Sequence, residues 1–189
     1  MYRLPLVLFL LFLVGCQDRG DVSGKSDHGL IISSLTHPNK IEILTLAKNQ
    51  QFDQLEAYFT NLYQAFNDKN IPEDWLRQAH HAFYNSDPDI QQYLDAWVDQ
   101  SPNSYFAVLS RGIYWMRLAQ LSRGADYINK TQERQKLGMR YYQETALVDL
   151  HKAAELSPKA FLPYSYIMSI SKTSGDNTLY ISARSEGLK

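Results

Sequence analysis

One cysteine, five histidines and a cluster of arginines among aromatic rings are the side chains with which this 189-residue chain could do chemistry. Cys16 is the only thiol, so no disulfide partner exists in its own chain. As a thiolate it is the best side-chain nucleophile for forming a thioether. The histidines are His28, His37, His80, His81 and His151, and none falls in an H-E-x-x-H pattern. His80 and His81 would project about 100° apart on a helix, which suits capping or surface positions better than joint metal ligation. His151 and Glu155, one turn apart, suit a weak helical pair. Arg111, Tyr114, Trp115, Arg117 and Arg123 combine the residue types that dominate protein-binding hot spots. Of these, Arg111, Tyr114, Trp115 and Arg123 are the candidate partner-binding residues. The competing reading is packing: Tyr114, Leu118 and Leu121 share one helical face and Leu109, Ile113 and Met116 another. That places the helix centrally, with Arg111 and Arg123 bonded to carbonyls of a long connection or to an acid such as Asp126.

Other chemistries have no residues to run them. There is no G-x-S-x-G nucleophile turn, no phosphate-cradling glycine loop and no dinucleotide fingerprint. No catalytic residue, metal or cofactor is expected, and an enzyme of an unfamiliar helical class stays only as a rival reading. Nineteen Lys and Arg balance twenty Asp and Glu, for a net charge of -1. Nucleic-acid binders usually carry a basic excess or stripe, so no nucleic-acid partner is expected.

The elements that must position these groups begin with a leader. Arg3 is followed by an apolar run over residues 4–14, too short for a stable span of about 20 residues but of signal-peptide length. The run closes Leu13-Val14-Gly15-Cys16 and resembles the lipobox of bacterial lipoproteins. That resemblance implies cleavage after Gly15 and a diacylglyceryl thioether on Cys16, with an N-acyl chain on its new amino terminus. Each buried methylene adds ~0.8 kcal/mol of membrane affinity. The other reading is a free cysteine in an uncleaved N-terminal helix. Gln17 in place of Asp favours, by analogy with enterobacterial sorting, the outer membrane facing the periplasm. Residues 16–36 are polar and rich in Gly, Ser and Asp, and read as a flexible tether.

From residue 37 to 189 the pattern is all-α, with seven or eight helices. Thr36 and Pro38 are expected to open a helix through Lys48. Phe52, Leu55, Tyr58, Phe59, Leu62 and Phe66 follow at spacings of three and four. Ile71-Pro72-Glu73-Asp74 starts another helix with acids in its first turn. Asp87-Pro88, Ser101-Pro102 and Ser157-Pro158 mark further breaks.

The two Ser-Pro breaks frame similar helices, and Ala146, Leu150, Ala153 and Pro158, with Gly112 and Trp115, resemble the tetratricopeptide pattern. Small residues there admit a close neighbouring helix, with Leu150 filling the gap. Trp97 stands where that pattern wants a small residue. The two prolines lie about 22 residues further apart than one 34-residue period, and the excess is placed near residues 122–138. The final segment reads as a closing helix that stops early, capping the array or ending a fragment. The Trp-Val helix end, the Ser-Pro-x-Ser turn and the Arg-Gly pairs at 111–112 and 123–124 resemble a bacterial tetratricopeptide-like family of unknown function. The resulting expectation is a lipid-anchored envelope protein: leader 1–15, tether 16–36 and a tetratricopeptide-like helical-hairpin domain 37–189. That domain binds a protein partner without catalysis. The alternative is a periplasmic immunity protein that neutralises a secreted toxin.

Overall fold

A computed structural model describes residues 36–125, 130–157 and 161–188. The leader, Cys16, His28 and nearly all of the tether lie outside the described residues, as do Asp126 and Pro158. Among the described residues the chain forms eight α-helices, one 3-10 turn and no strand. They are α1 (Lys40–Lys48), α2 (Phe52–Asn67), α3 (Glu73–His80), the 3-10 turn (His81–Phe83), α4 (Ile90–Gln100), α5 (Tyr105–Arg123), α6 (Glu133–Leu156), α7 (Phe161–Ser174) and α8 (Asn177–Glu186).

Local chemistry sets most of the boundaries. The α1 cap is Asn39, not Thr36: its side-chain oxygen accepts the Ile41 N–H at 3.0 Å. Glu73 and Asp74 stand in the first turn of α3, where negative charge complements the helix dipole. The first Ser-Pro break ends α4, and Ser104 then caps α5 by accepting the Ala107 N–H at 3.1 Å. At the start of α6, the Gln132 and Gln135 side chains exchange hydrogen bonds with each other's backbone as a capping box.

Trp97 explains its own departure from a small residue. It is fully buried, packed against Phe52, Phe59 and Phe83 with ring centroids 5.9 to 6.2 Å apart. Its indole N–H donates to Glu56 at 2.8 Å, so the polar edge of the ring is satisfied. The packing of α2 against α4 is thus spaced by an indole.

The centre of the molecule is α5, which packs against α3, α4, α6, α7 and the 3-10 turn. Tyr105, Val108, Leu109, Ile113, Tyr114 and Met116 are buried around its circumference, as the two apolar faces in the sequence require. Its closest neighbour is α6. A Cβ on Gly112 would stand 3.1 Å from Leu150 and 3.3 Å from the Asp149 Cβ, and one on Gly138 would press on Ser122. Position 112 meets 149–150 while 122 meets 138, so the two helices run antiparallel. The extra length between the Ser-Pro breaks goes mainly into these two helices, of 19 and 24 residues, the longest of the fold.

Candidate functional site

The four residues expected at a partner surface are sent by α5 to different surroundings. Tyr114 is fully buried and its hydroxyl points to the Asp87 carbonyl at 3.5 Å. It belongs to the packing, and the surface it was expected to share is built without it. Arg123 lies twelve residues beyond Arg111, about 18 Å along the helix axis. Arg111 and Trp115, one turn apart, remain together.

Arg111 is the hub of an ion-pair triad that joins three helices. Its Nε and one terminal nitrogen donate to the two carboxylate oxygens of Asp149 on α6, at 2.8 and 2.9 Å. The other terminal nitrogen donates to Asp95 on α4 at 3.2 Å. The Asp149 side chain is 7% exposed and that of Asp95 39%, so the Asp149 arm is the strong one. A bidentate guanidinium–carboxylate pair is both directional and charge-assisted. Removing one member of a buried pair costs about 3–5 kcal/mol, because it strands the other charge. Arg111 therefore clamps the α4–α5–α6 junction and has little left to offer a ligand.

Beside this clamp is an open groove of about 470 Å³, lined by Asp95, Arg111, Trp115, Tyr141, Val148 and Asp149. Trp115 forms part of its floor, half-buried and stacked on Tyr142 at 6.0 Å. Leu137, Tyr141 and Val148 are 56%, 64% and 70% exposed. They stand on a single face of α6, which forms the outer wall. Glu144 also lines the groove, exposed and without a hydrogen bond or ion pair among the described residues. Spacing within α6 carried this signal, but a surface stripe cannot be told from a core stripe until the neighbouring helices are placed.

A second hollow, of about 520 Å³, lies where α5 ends against α6 and α7, and Arg117, Arg123 and Gln143 line it. Arg117 already rides over the Tyr84 ring at 5.1 Å and Gln143 donates to Thr173 at 2.8 Å. Its rim reaches Ala125, beyond which residues 126–129 lie outside the described residues.

His80 corrects the expectation of a capping or surface residue. It is fully buried, stacked 4.4 Å from the Phe59 ring. Its Nδ1 is 3.1 Å from the Ser110 hydroxyl and its Nε2 is 3.2 Å from the Tyr63 hydroxyl. Tyr63 in turn donates to Tyr105 at 3.2 Å. With that proton committed, a consistent network has His80 donating from Nε2 to Tyr63 and accepting from Ser110 at Nδ1. Burial lowers the His80 pKa to about 3 and pushes the Tyr63 and Tyr105 phenols up. A serine beside an imidazole is a nucleophile-and-base arrangement only where a substrate can reach it. Here Ser110 and His80 are both sealed from solvent, and the network joins α2, α3 and α5 instead. His81 sits partly exposed beside Lys40, 2.9 Å away, on a neighbouring helix.

Among the described residues, no group of three or more His, Cys, Asp or Glu side chains is placed to hold a metal ion. None of the described helices is long and apolar enough to cross a membrane. A family model described as a domain of unknown function, DUF4034, matches residues 39–179. No curated protein and no solved structure matches the chain.

Proposed function

This chain belongs to the DUF4034 family of domains of unknown function, and from that premise we propose a lipid-anchored, non-catalytic protein-binding module of a bacterial cell envelope. The anchor is the acylated Cys16 of the Leu13-Val14-Gly15-Cys16 sequence, with the tetratricopeptide-like hairpins carried outside the cytoplasm on the inner face of the outer membrane. The observation that carries the binding role is the exposed stripe of Leu137, Tyr141 and Val148 beside the Trp115 groove. Aromatic and aliphatic side chains held on a rigid helix next to a groove are what peptide and helix recognition uses. Arg111 supports the site by fixing the helices that wall it.

The test places a photo-reactive residue at Tyr141, or at Trp115, in the full chain within cells. Adducts with a protein are expected from both positions and not from Asn61 on α2. Adducts from Asn61 alone would put the binding surface elsewhere. In parallel, Cys16→Ser is expected to lose both palmitate labelling and membrane fractionation, and retention of both would remove the anchor. Arg111→Ala is the wrong probe, because the loss of the clamp on buried Asp149 would be mistaken for loss of binding.

A further inference from the structure

The outer wall of the groove is more regular than a binding patch needs to be. Along α6, Leu137, Tyr141, Glu144, Val148, His151 and Glu155 follow one another at steps of four, three, four, three and four, and all are exposed. A repeat of 3.5 residues on one helix is the geometry of a seam for a second helix. The charges are sorted along the same helix. Residues 133–142 hold Arg134, Lys136 and Arg140 against Glu133, while residues 143–156 hold Glu144 and Glu155 against Lys152, Asp149 being buried and already neutralised by Arg111. One half of α6 is therefore positive by two and the exposed charge of the other negative by one. A parallel copy would oppose like charges, whereas an antiparallel copy meets opposite charge at both ends.

We propose that this face of α6 binds a second copy of the chain, as an antiparallel helix pair about a two-fold axis. The proposal rests on reading the α6 face as a protein-binding surface, and it names the occupant. Isologous contact of this kind is the commonest way in which soluble chains self-associate. The seam register that interleaves the two helices pairs residues whose numbers sum to 285. Leu137 then packs on Val148 of the other copy. The Tyr141 hydroxyl can donate to Glu144, the carboxylate that has no hydrogen bond or ion pair among the described residues. Each contact occurs twice, and the groove beside Trp115 receives the flank of the incoming helix. A seam on one helix about 36 Å long is a small interface beside the roughly 800 Å² per partner of a standard stable complex. The pair is therefore reversible on dilution.

Crosslinking reads this register directly. Two full-length chains, one carrying Leu137→Cys and the other Val148→Cys, are co-expressed and treated with a short bis-maleimide. Crosslinked dimer is expected at several times the yield of either variant alone. Within one chain these positions are eleven residues apart on a rigid helix, so a dimer band reports a contact between chains. The unsubstituted chain sets the background. Any product from it reports a free Cys16 thiol, which counts against the anchor, and dimerisation is read as the increment above it. Equal yields from the mixed and single variants would overturn the antiparallel register. No dimer at all, with Tyr141 crosslinking instead to a protein of different mass, would overturn self-association and leave the binding surface standing. Tyr141→Asp in both chains is expected to cut the mixed-variant yield at least several-fold while the helical circular-dichroism signal is unchanged.

Discussion

His80 stays a neutral imidazole at neutral pH, with its one N–H given to Tyr63, because the folded chain surrounds the ring with aromatic rings and hydroxyls rather than with water or an acid. Its pKa falls from 6.5 to about 3, with burial as the cause. In the unfolded chain the same ring titrates near its ordinary value. Between those two values the unfolded chain binds a proton that the native chain does not, so stability is complete above about 6.5 and falls as the pH drops through the window. The slope for one such group is about 1.4 kcal/mol per pH unit. His81, lowered by partial burial and by Lys40, acts in the same direction, and its exposure makes it the lesser contributor. Denaturant unfolding at pH 7, 6 and 5, above the carboxylate range, is expected to show this loss, and His80→Gln is expected to flatten most of it. A wild-type chain equally stable at pH 7 and pH 5 would mean that the imidazole can be protonated in place. None of this could be read from the neighbours of His80 in sequence. Its hydroxyl partners come from Tyr63 and Ser110, 17 and 30 residues away, and only the meeting of three helices makes a histidine a core residue. The same holds for Arg111, whose residue type announced binding while its place opposite Asp149, 38 residues on, made it a clamp.

The α5–α6 hairpin is the element on which the groove depends, and its two glycines do different work. Gly112 faces Leu150, which is fully buried, and Asp149, which is held by Arg111. Neither can yield without disturbing the core or the clamp. Gly138 faces the hydroxyl of Ser122, a half-buried side chain that can turn to another rotamer. Replacing glycine by alanine inside a helix is favourable by up to about 1 kcal/mol when nothing is struck. Gly138→Ala is therefore expected to leave the melting temperature level or raised, and Gly112→Ala to lower it by several degrees, a cost of about 1–3 kcal/mol from overpacking. Calorimetry on the two variants decides the matter, and a stabilising Gly112→Ala would show that Leu150 has room. The close approach at Gly112 was legible from sequence, because a glycine and an aromatic opposite an Ala-Leu-Ala series is a packing pattern whose partners are named by spacing. Helix existence was legible for the same reason. The α1 cap was not, because Thr36 and Asn39 are both good capping residues and only the backbone turn after Pro38 selects between them.

At the scale of the whole molecule the packing is graded along the chain. The first five helices share one core, in which Phe59, Phe83 and Trp97 meet and into which α5 is sunk on nearly every side. That core continues through Leu150 and Ala153 of α6 and thins across α7. In α8 only Ala183 is buried and Ile181 is 67% exposed, as is Leu188, just beyond the helix, at 77%, and α7 is its principal neighbour. Regions with few buried apolar contacts open at low free energy, whereas central helices exchange their amide protons only when the whole domain unfolds. Native-state hydrogen exchange is therefore expected to rank the helices, with α8 exchanging orders of magnitude faster than α5, and α7 between them. The α8 cap, in which Asp176 accepts the Leu179 N–H at 2.9 Å, delays fraying of the first turn without changing that order. Protection of α8 equal to that of α5 would require something to cover Ile181 and Leu188. The end of the array would then be a docking surface in its own right, and the single-seam assembly through α6 would no longer account for how this chain meets its partners.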